Sequence, residues 1–505
     1  MSAITPDPGM RRYFPTTSLP WLWAADRTSP WAWAHALVGG LGVTGYAAAT
    51  ALLGVGADVT VVADSEPTGP AAERAGIVEA LGGQVRTGPG VTASIPPGTD
   101  LVVISPGFLP SSPLVHASVA AGVPVFTDLD LARRLEDPEH RPAWLCVTGS
   151  NGKTTTTGML ASILQAAGER AFAVGNIGAS PLDAVLDPDP PDVLAVEVSA
   201  QQLHYSPGLS PQASVVLNLA PDHLEFFTTM DLYVADKGRV YDGTGLACVY
   251  NVDDPATERL VRDADVVEGA RAIGFTLGIP SVSQLGVVDG MLADRAFIDD
   301  RYHAAAELIH VDELPSRAPH VVANALAAAA LARAHGVSTA AVRAGLRGFR
   351  LDRHRIEDIG EFDGVRYVND SKATNPHAAL ASLNAYDPVV WIAGGQAKNL
   401  TFDDLVGAVA GRLRGVVLLG TDRAVIADAL ARHAPQVPVI DVPGRDHGAM
   451  TDVVAAARRL ARPGDTVLLA PGCASYDMFS GYAGRGDAFV TAVRDQHGRV
   501  QPTRP

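Results

Sequence analysis

Short apolar runs recur along this chain, each closing on a glycine-rich or polar loop and each followed by an alanine-rich stretch of helical periodicity. The clearest are Ala36–Val38, Leu101–Ile104, Trp144–Thr148, Val193–Val198, Val215–Asn218, Val389–Ala393, Val416–Leu419 and Thr466–Ala470. Alternating strands and helices have one economical solution, a parallel sheet with helices on both faces. In such sheets the chemistry sits in loops leaving the carboxyl ends of strands.

At 505 residues the chain is too long for one core. The polar, proline-bearing stretch Asp137–Pro142 marks one boundary, and Gly348–Arg355, after the helical pattern Val321–Ala334, marks another. The expected division is an N-terminal extension over 1–35, then domains over 36–141, 142–350 and 351–505. Each domain is expected to be α/β, built on a mainly parallel sheet flanked by helices: Rossmann-like first, P-loop ATPase-like in the centre, Rossmann-like last.

Lys plus Arg is 39 and Asp plus Glu 55, a net charge of −16 that argues against a nucleic-acid binder or a polybasic membrane-surface protein. Three cysteines without a CxxC fit a reduced, cytoplasmic chain with no disulfide framework or structural zinc. Arg11–Phe14 looks like a twin-arginine signal, but Pro15, Pro20 and Pro30 break the apolar stretch that should follow. Thr28–Ala57 carries no formal charge, yet Gly39, Gly40, Gly42, Gly45, Gly54 and Gly56 make it a strand, turn and helix rather than a membrane span.

Gly40-Leu41-Gly42-Val43-Thr44-Gly45 lies between strand and helix, with Asp64 about 20 residues on, as in a dinucleotide or diphosphate fingerprint. These glycines could instead only let the helix approach the sheet. Gly149-Ser150-Asn151-Gly152-Lys153-Thr154-Thr155 also lies between strand and helix. Val147 stands where the Walker loop has its first glycine, but the mechanics hold: backbone N–H groups cradle phosphate, Lys153 neutralises it and Thr154 reaches Mg²⁺. Glu197 and Asp222-His223 end neighbouring strands, a donor set suited to Mg²⁺ or Mn²⁺. Asn369–Asn375, Gly394–Lys398 and Pro471–Ser475 follow three strands of the last domain, and together they form a surface for a small anion or carboxylate.

At these residues the chain resembles the Mur ligase family. GSNGKTT, GNIG (175–178), EVSAQQL (197–203), NLAPDHL (218–224), ADKGRVY (235–241), HxxxNALAA from His320, and NDSKATN (369–375) all resemble its motifs. NDSKATN and APGCASYDMF are similar to its D-glutamate-adding branch, and the DNPR of the diaminopimelate-adding sisters is missing from the sequence.

The resemblance implies that UDP-N-acetylmuramoyl-L-alanine binds through Val43, Thr44, Asp64, Ser65, Ser105, Pro106 and Gly107, with Asn176 and Ser199 on its muramoyl part. It implies ATP on Gly149–Thr155 with Asn324, Arg355 and Asp370. Two Mg²⁺ sites would draw on Thr154, Glu197 and His223, with Lys237 carbamoylated and bridging toward them. Lys153, His223, Lys237 and Lys372 would be catalytic. Lys372, Thr374, Lys398, Ser475, Tyr476 and Tyr482 would face D-glutamate. The chain departs from the family pattern at Ala200, Val321, Tyr476 and Tyr482.

The activity implied is a cytoplasmic, ATP-dependent amide ligase of peptidoglycan precursor synthesis. It would work as a monomer on small molecules, without nucleic acid or membrane, through an acyl phosphate and a closure of the C-terminal domain. A sister Mur or folylpolyglutamate-type ligase would share the ATP loop and differ in the amino acid. A dehydrogenase would explain Gly40–Gly45 and leave the GKTT loop idle. A silent binding protein would not need Lys153, Glu197, His223 and Lys372 together.

Overall fold

The computed structural model describes residues 19–398, 400–444 and 448–497. The Arg11-Arg12 pair lies outside them. Among the described residues the strands form three sheets.

The first sheet holds β1 (His35–Gly39), β2 (Asp58–Ala63), β3 (Gln84–Thr87), β4 (Leu101–Ile104) and β5 (Val125–Phe126), all parallel, in the order β3-β2-β1-β4-β5. Val59, Val61, Val102 and Val103 are buried, as strands covered on both faces require. The order reverses beside β1, so the loops after β1 and β4 open on one crevice. Leu22 and Trp31 join this core, so the described part of the expected extension is packed structure.

The second sheet holds β6 (Ala143–Thr148), β7 (Ala171–Gly175), β8 (Val193–Glu197), β9 (Ala213–Val216), β10 (Ala247–Asn251), β11 (Arg271–Phe275), β12 (Gln284–Val288), β13 (Met291–Asp294) and β14 (Ala306–His310). Its order is β14-β13-β12-β11-β10-β9-β6-β8-β7, with antiparallel pairing only across β12–β13–β14. The run read as Val215–Asn218 is strand only to Val216; beyond it Leu217 N still donates to Thr148 O (3.0 Å) and Asn218 O accepts from Ser150 N (3.0 Å).

A buried polar seam joins these two sheets. Helix Asp128–Arg134 meets helix Ala200–Tyr205 through Gln202 Nε2 to Asp128 (3.0 Å) and, just beyond, Ser206 Oγ to Asp130 (2.7 Å). Burial pushes the Asp128 carboxyl up to about 6. Tyr205 OH adds a bond to Phe108 O (2.9 Å). These two sheets, with Asn324–Gly348, form one compact unit.

Val311–Ala323 and the chain from Phe349 form the other unit. Its sheet holds β15 (Glu357–Phe362), β16 (Val365–Asn369), β17 (Val389–Gly394), β18 (Leu413–Leu419), β19 (Val439–Asp441) and β20 (Thr466–Leu469). The order is β15-β16-β20-β17-β18-β19, antiparallel only at β15–β16. Trp391 sits fully buried in β17, its indole N–H donating to Ala470 O (2.8 Å). No helix among the described residues is long and apolar enough to cross a membrane.

Candidate functional site

At the carboxyl edge of the first sheet, Gly40 has φ +88°, and a Cβ on Gly45 would lie 2.1 Å from Gly40 O. Only glycine at 45 lets the helix Val43–Gly54 start this close to β1. Val43 stands exposed at that helix start, with Thr44 half-buried beside it. Asp64 follows β2 and accepts from Thr92 N (3.1 Å) and Thr92 Oγ1 (2.6 Å), which hold its carboxyl below the usual range. Ser65 is exposed next to it, and the Ser105-Pro106-Gly107 turn leaves β4 across the crevice.

The second sheet presents the phosphate loop between β6 and the helix Lys153–Ala166. That helix has Gly152 (φ +87°) as its N-cap and no side-chain cap, so its first N–H groups face the loop. A Cβ on Gly152 would lie 2.4 Å from Asn324 Oδ1, so the Asn324 amide packs directly against the loop.

Two residues outside the expected set brace the loop. Asn218 Oδ1 accepts from Asn151 N (2.9 Å) while its Nδ2 donates to Asn151 O (3.0 Å). Tyr233 OH pairs with Ser150 Oγ (2.9 Å), which also donates to Ala220 O (2.9 Å). The Ser150 hydroxyl, read as an ATP contact, is thus engaged in shaping the loop. Lys153 Nζ folds back to Gly149 O (2.9 Å) and Ser150 O (3.2 Å). Thr154 is half-buried and Thr155 buried in the helix's first turn.

Glu197 ends β8 with 2% exposure. Its Oε1 accepts from Asn176 Nδ2 (3.1 Å), whereas Oε2 is shielded from solvent and has no hydrogen-bond partner. A buried carboxylate oxygen in that condition is costly unless a cation meets it. Gly175 (φ +104°) permits the fit, since a Cβ there would lie 2.2 Å from Glu197 O. Ser199 lies two residues on, but its hydroxyl forms a capping box with Gln202.

Lys237 is 1% exposed and donates to Gly149 O (2.9 Å) and weakly to Thr148 Oγ1 (3.4 Å), its Nζ 4.7 Å from the Tyr233 ring centroid. Burial, and next the charge of Lys153, push its ammonium well below the usual lysine range, with Asp222 and Glu197 opposing. Such an amine is a nucleophile for CO₂. His223 is exposed at φ +53°, with Asp222 at 3.7 Å and Glu225 at 3.6 Å. Among the described residues no three carboxylates, imidazoles or thiols gather to hold a metal by themselves.

In the third sheet, the strands β16, β20 and β17 are neighbours, so the three polar loops leave one edge together. Gln396 N donates to Ala474 O (2.8 Å), Ala474 N to Gln396 O (3.0 Å), and Gly472 N to Ala373 O (2.9 Å). Lys372 Nζ rests 4.1 Å from the centroid of the Tyr482 ring. Thr374 is half-buried and Ser475 buried, whereas Tyr476 is 70% exposed. Lys398 is exposed, at φ +49°.

Asp370 turns inward, accepting from Ser382 Oγ and from Ile356 N (3.3 Å), and burial raises its carboxyl to about 6. Arg355 lies close enough to lower that carboxyl, and its own nearest partner is Asp352 (3.6 Å). Arg485, which the sequence reading passed over, lies buried behind the loops. Its only local signal is its place between Gly484 and Gly486, the latter leaving room for His354 (2.2 Å from a Cβ built there).

The chain matches two family descriptions, Mur ligase middle domain over residues 147–332 and Mur ligase, glutamate ligase domain over residues 354–473. It is 60% identical over 463 residues to the UDP-N-acetylmuramoylalanine–D-glutamate ligase of Streptomyces coelicolor, 91% of this chain and 98% of that protein. The protein of the same name from Thermobifida fusca is 51% identical, with 90% of this chain and 97% of the other covered. A pseudomurein peptide ligase type C from Methanothermus fervidus shares the fold, with a TM-score of 0.55 at 18% identity over 92% of this chain and 99% of that one.

Proposed function

This chain belongs to the Mur ligase family, and we propose that it uses ATP to join D-glutamate to UDP-N-acetylmuramoyl-L-alanine in peptidoglycan precursor synthesis. The likeness to the D-glutamate ligases along nearly the whole chain carries this reading. It acts as a cytoplasmic monomer on small molecules.

The uridine diphosphate sits on the loop after β1, with Val43, Thr44, Asp64, Ser65 and the Ser105–Gly107 turn about it, and Asn176 meets the muramoyl part. ATP lies along Gly149–Thr155. Lys153 leaves its loop carbonyls for the β/γ-phosphates, and Asn324 borders the loop.

Glu197 and Thr154, with His223 and a carbamate on Lys237, would hold Mg²⁺, which screens the negative charge a carboxylate meets on approaching a triphosphate. The unpartnered Glu197 Oε2 and the buried Lys237 amine, whose proton burial makes easier to lose, fit that assignment. The substrate carboxylate attacks the γ-phosphorus, the bond to the β-bridging oxygen breaks, and ADP leaves. The unprotonated amine of D-glutamate then adds to the acyl carbon, and the tetrahedral adduct expels phosphate and loses a proton. Lys372, Thr374, Lys398, Ser475, Tyr476 and Tyr482 meet the two carboxylates of D-glutamate.

ADP release, measured with ATP, UDP-N-acetylmuramoyl-L-alanine and one amino acid at a time, tests the reading. D-glutamate should be used in strong preference to L-glutamate, D-aspartate, L-lysine and meso-diaminopimelate. Equal turnover with L-lysine or meso-diaminopimelate overturns it in favour of a sister ligase.

A further inference from the structure

The three loops at the edge of the third sheet come from distant parts of the chain, and one side chain touches all of them. Arg485 Nε donates to Ser371 Oγ (3.0 Å) and Nη2 to Ser371 O (2.9 Å). Its Nη1 donates to Cys473 O (3.0 Å) and, more weakly, to Gly394 O (3.4 Å). Arg485 is 1% exposed, and among the described residues it forms no ion pair, although Asp477 lies close enough to favour its charge. Burial pulls its pKa down to about 10. Its hydrogen bonds all go to neutral acceptors, and Asp477 opposes the cost of burying the charge without pairing with it, so stability alone does not account for a cation here.

What Arg485 supplies is a planar fork that fixes acceptors on separate loops at set distances, which no flexible ammonium can reproduce. Ser371 Oγ in turn donates to Tyr482 O (2.7 Å). Tyr482 and Arg485 share the first turn of one helix, and the Tyr482 ring underlies Lys372, the neighbour of Ser371. One helical turn therefore governs both the spacing of the loops and the seat of the lysine ammonium.

We propose that Arg485 is the positioning residue of the amino-acid site, holding loops 371–375, 394–398 and 471–475 at the separation that a dicarboxylate amino acid needs. This rests on the ligase reading above. Arg485 touches no substrate; it acts through Ser371, Lys372 and the backbone at 394 and 473.

The test is Arg485→Lys in the full chain, with all three Michaelis constants measured and hydrogen exchange followed in the free protein. The expected result is a KM for D-glutamate raised tenfold or more, with those for ATP and the UDP-substrate within twofold, and faster exchange in all three loops. Guanidinium ion should partly restore the D-glutamate KM of Arg485→Ala. If Arg485→Ala does not fold, Ser371→Ala removes one acceptor without a buried cavity of that size and should raise the same KM about threefold.

An unchanged D-glutamate KM in Arg485→Lys or Ser371→Ala overturns the proposal. So does an equal rise in all three constants, which marks a merely structural residue, and so does unaltered exchange in the loops. A wild-type enzyme that ignores D-glutamate defeats the ligase reading instead, while the exchange comparison still reads the clamp by itself.

Discussion

The phosphate loop of the second sheet and the three-loop edge of the third both gather cations and backbone at strand ends, yet they are built in opposite ways. Gly149–Thr155 is one contiguous stretch, with short braces from Asn218 and Tyr233 and a buried lysine beneath it. The third-sheet edge has no contiguous motif of that kind; its parts are assembled from loops around 371, 394 and 473 and held by Arg485. A local site fails when one of its own residues is lost. A non-local site fails when the spacing between its parts changes. Variants on the first should therefore strike turnover and nucleotide use, and variants on the second should strike the affinity for the amino acid.

Lys153→Ala is the hardest test of that contrast. Losing the charge on the β/γ-phosphates should lower kcat by more than about a thousandfold, on the order of 4 kcal/mol, while calorimetric binding of the UDP-substrate is retained. Turnover near wild type would dissolve the phosphate-loop assignment.

Next comes Lys237→Ala. Its buried amine faces the same loop, so the variant should be inactive and should regain partial activity with millimolar short-chain carboxylates standing in for the carbamate. No rescue, together with no CO₂ dependence in the wild type, would leave Lys237 a structural lysine.

Asp370 sharpens the other side. Its folded carboxyl keeps its proton up to about 6, against an ordinary 3.8, so the native state binds more protons in that window. Its stabilising contribution is whole below 3.8 and is lost as pH rises through 6. Asp370→Asn escapes this loss, and its stability advantage over wild type should grow from pH 4 to 6.5, reaching on the order of 3 kcal/mol. A flat difference in denaturant midpoints across that range would show that Asp370 ionises freely.

The smallest effects belong to the hydroxyls of the third-sheet loops. Ser475→Ala and Thr374→Ala should each raise the D-glutamate KM about tenfold, roughly 1.4 kcal/mol, and leave the ATP constant alone. If the ATP constant rises instead, the division of labour between the two regions is wrong.

Strand–loop–helix periodicity made the parallel sheets legible, because buried parallel strands read as unbroken apolar runs. The antiparallel edge β12–β14 and β15 were not legible: the buried stretches of β12–β14 are short (Leu285–Gly286, Leu292–Asp294, Leu308–Ile309) and β15 mixes half-buried with exposed residues, so no long apolar run stands out. The same rule separates the site residues. Gly152, Lys153 and Glu197 were readable because each is tied to a local motif at a strand end. Asn218 was quoted within a motif, but its bracing of Asn151 is a tertiary contact across 67 residues that no local pattern announces. Ser199 followed by Gln202 is a capping-box spacing, and that local signal accounts for its hydroxyl in the free protein. Arg485 carried almost no local signal, because its acceptors lie far away in sequence.

The buried seam between the first two sheets bears on how such a chain can be recombined. The proline-bearing stretch 137–142 looks like a natural place to join halves of two related proteins. Yet Asp128 and Asp130 lie before it, and their partners Gln202 and Ser206 lie after it. A hybrid joined there inherits two buried carboxylates from one parent and the groups that satisfy them from the other. The exchangeable module is therefore not the sequence domain but the domain together with the far side of its seam, and shuffled ligases should survive only when those four positions travel together.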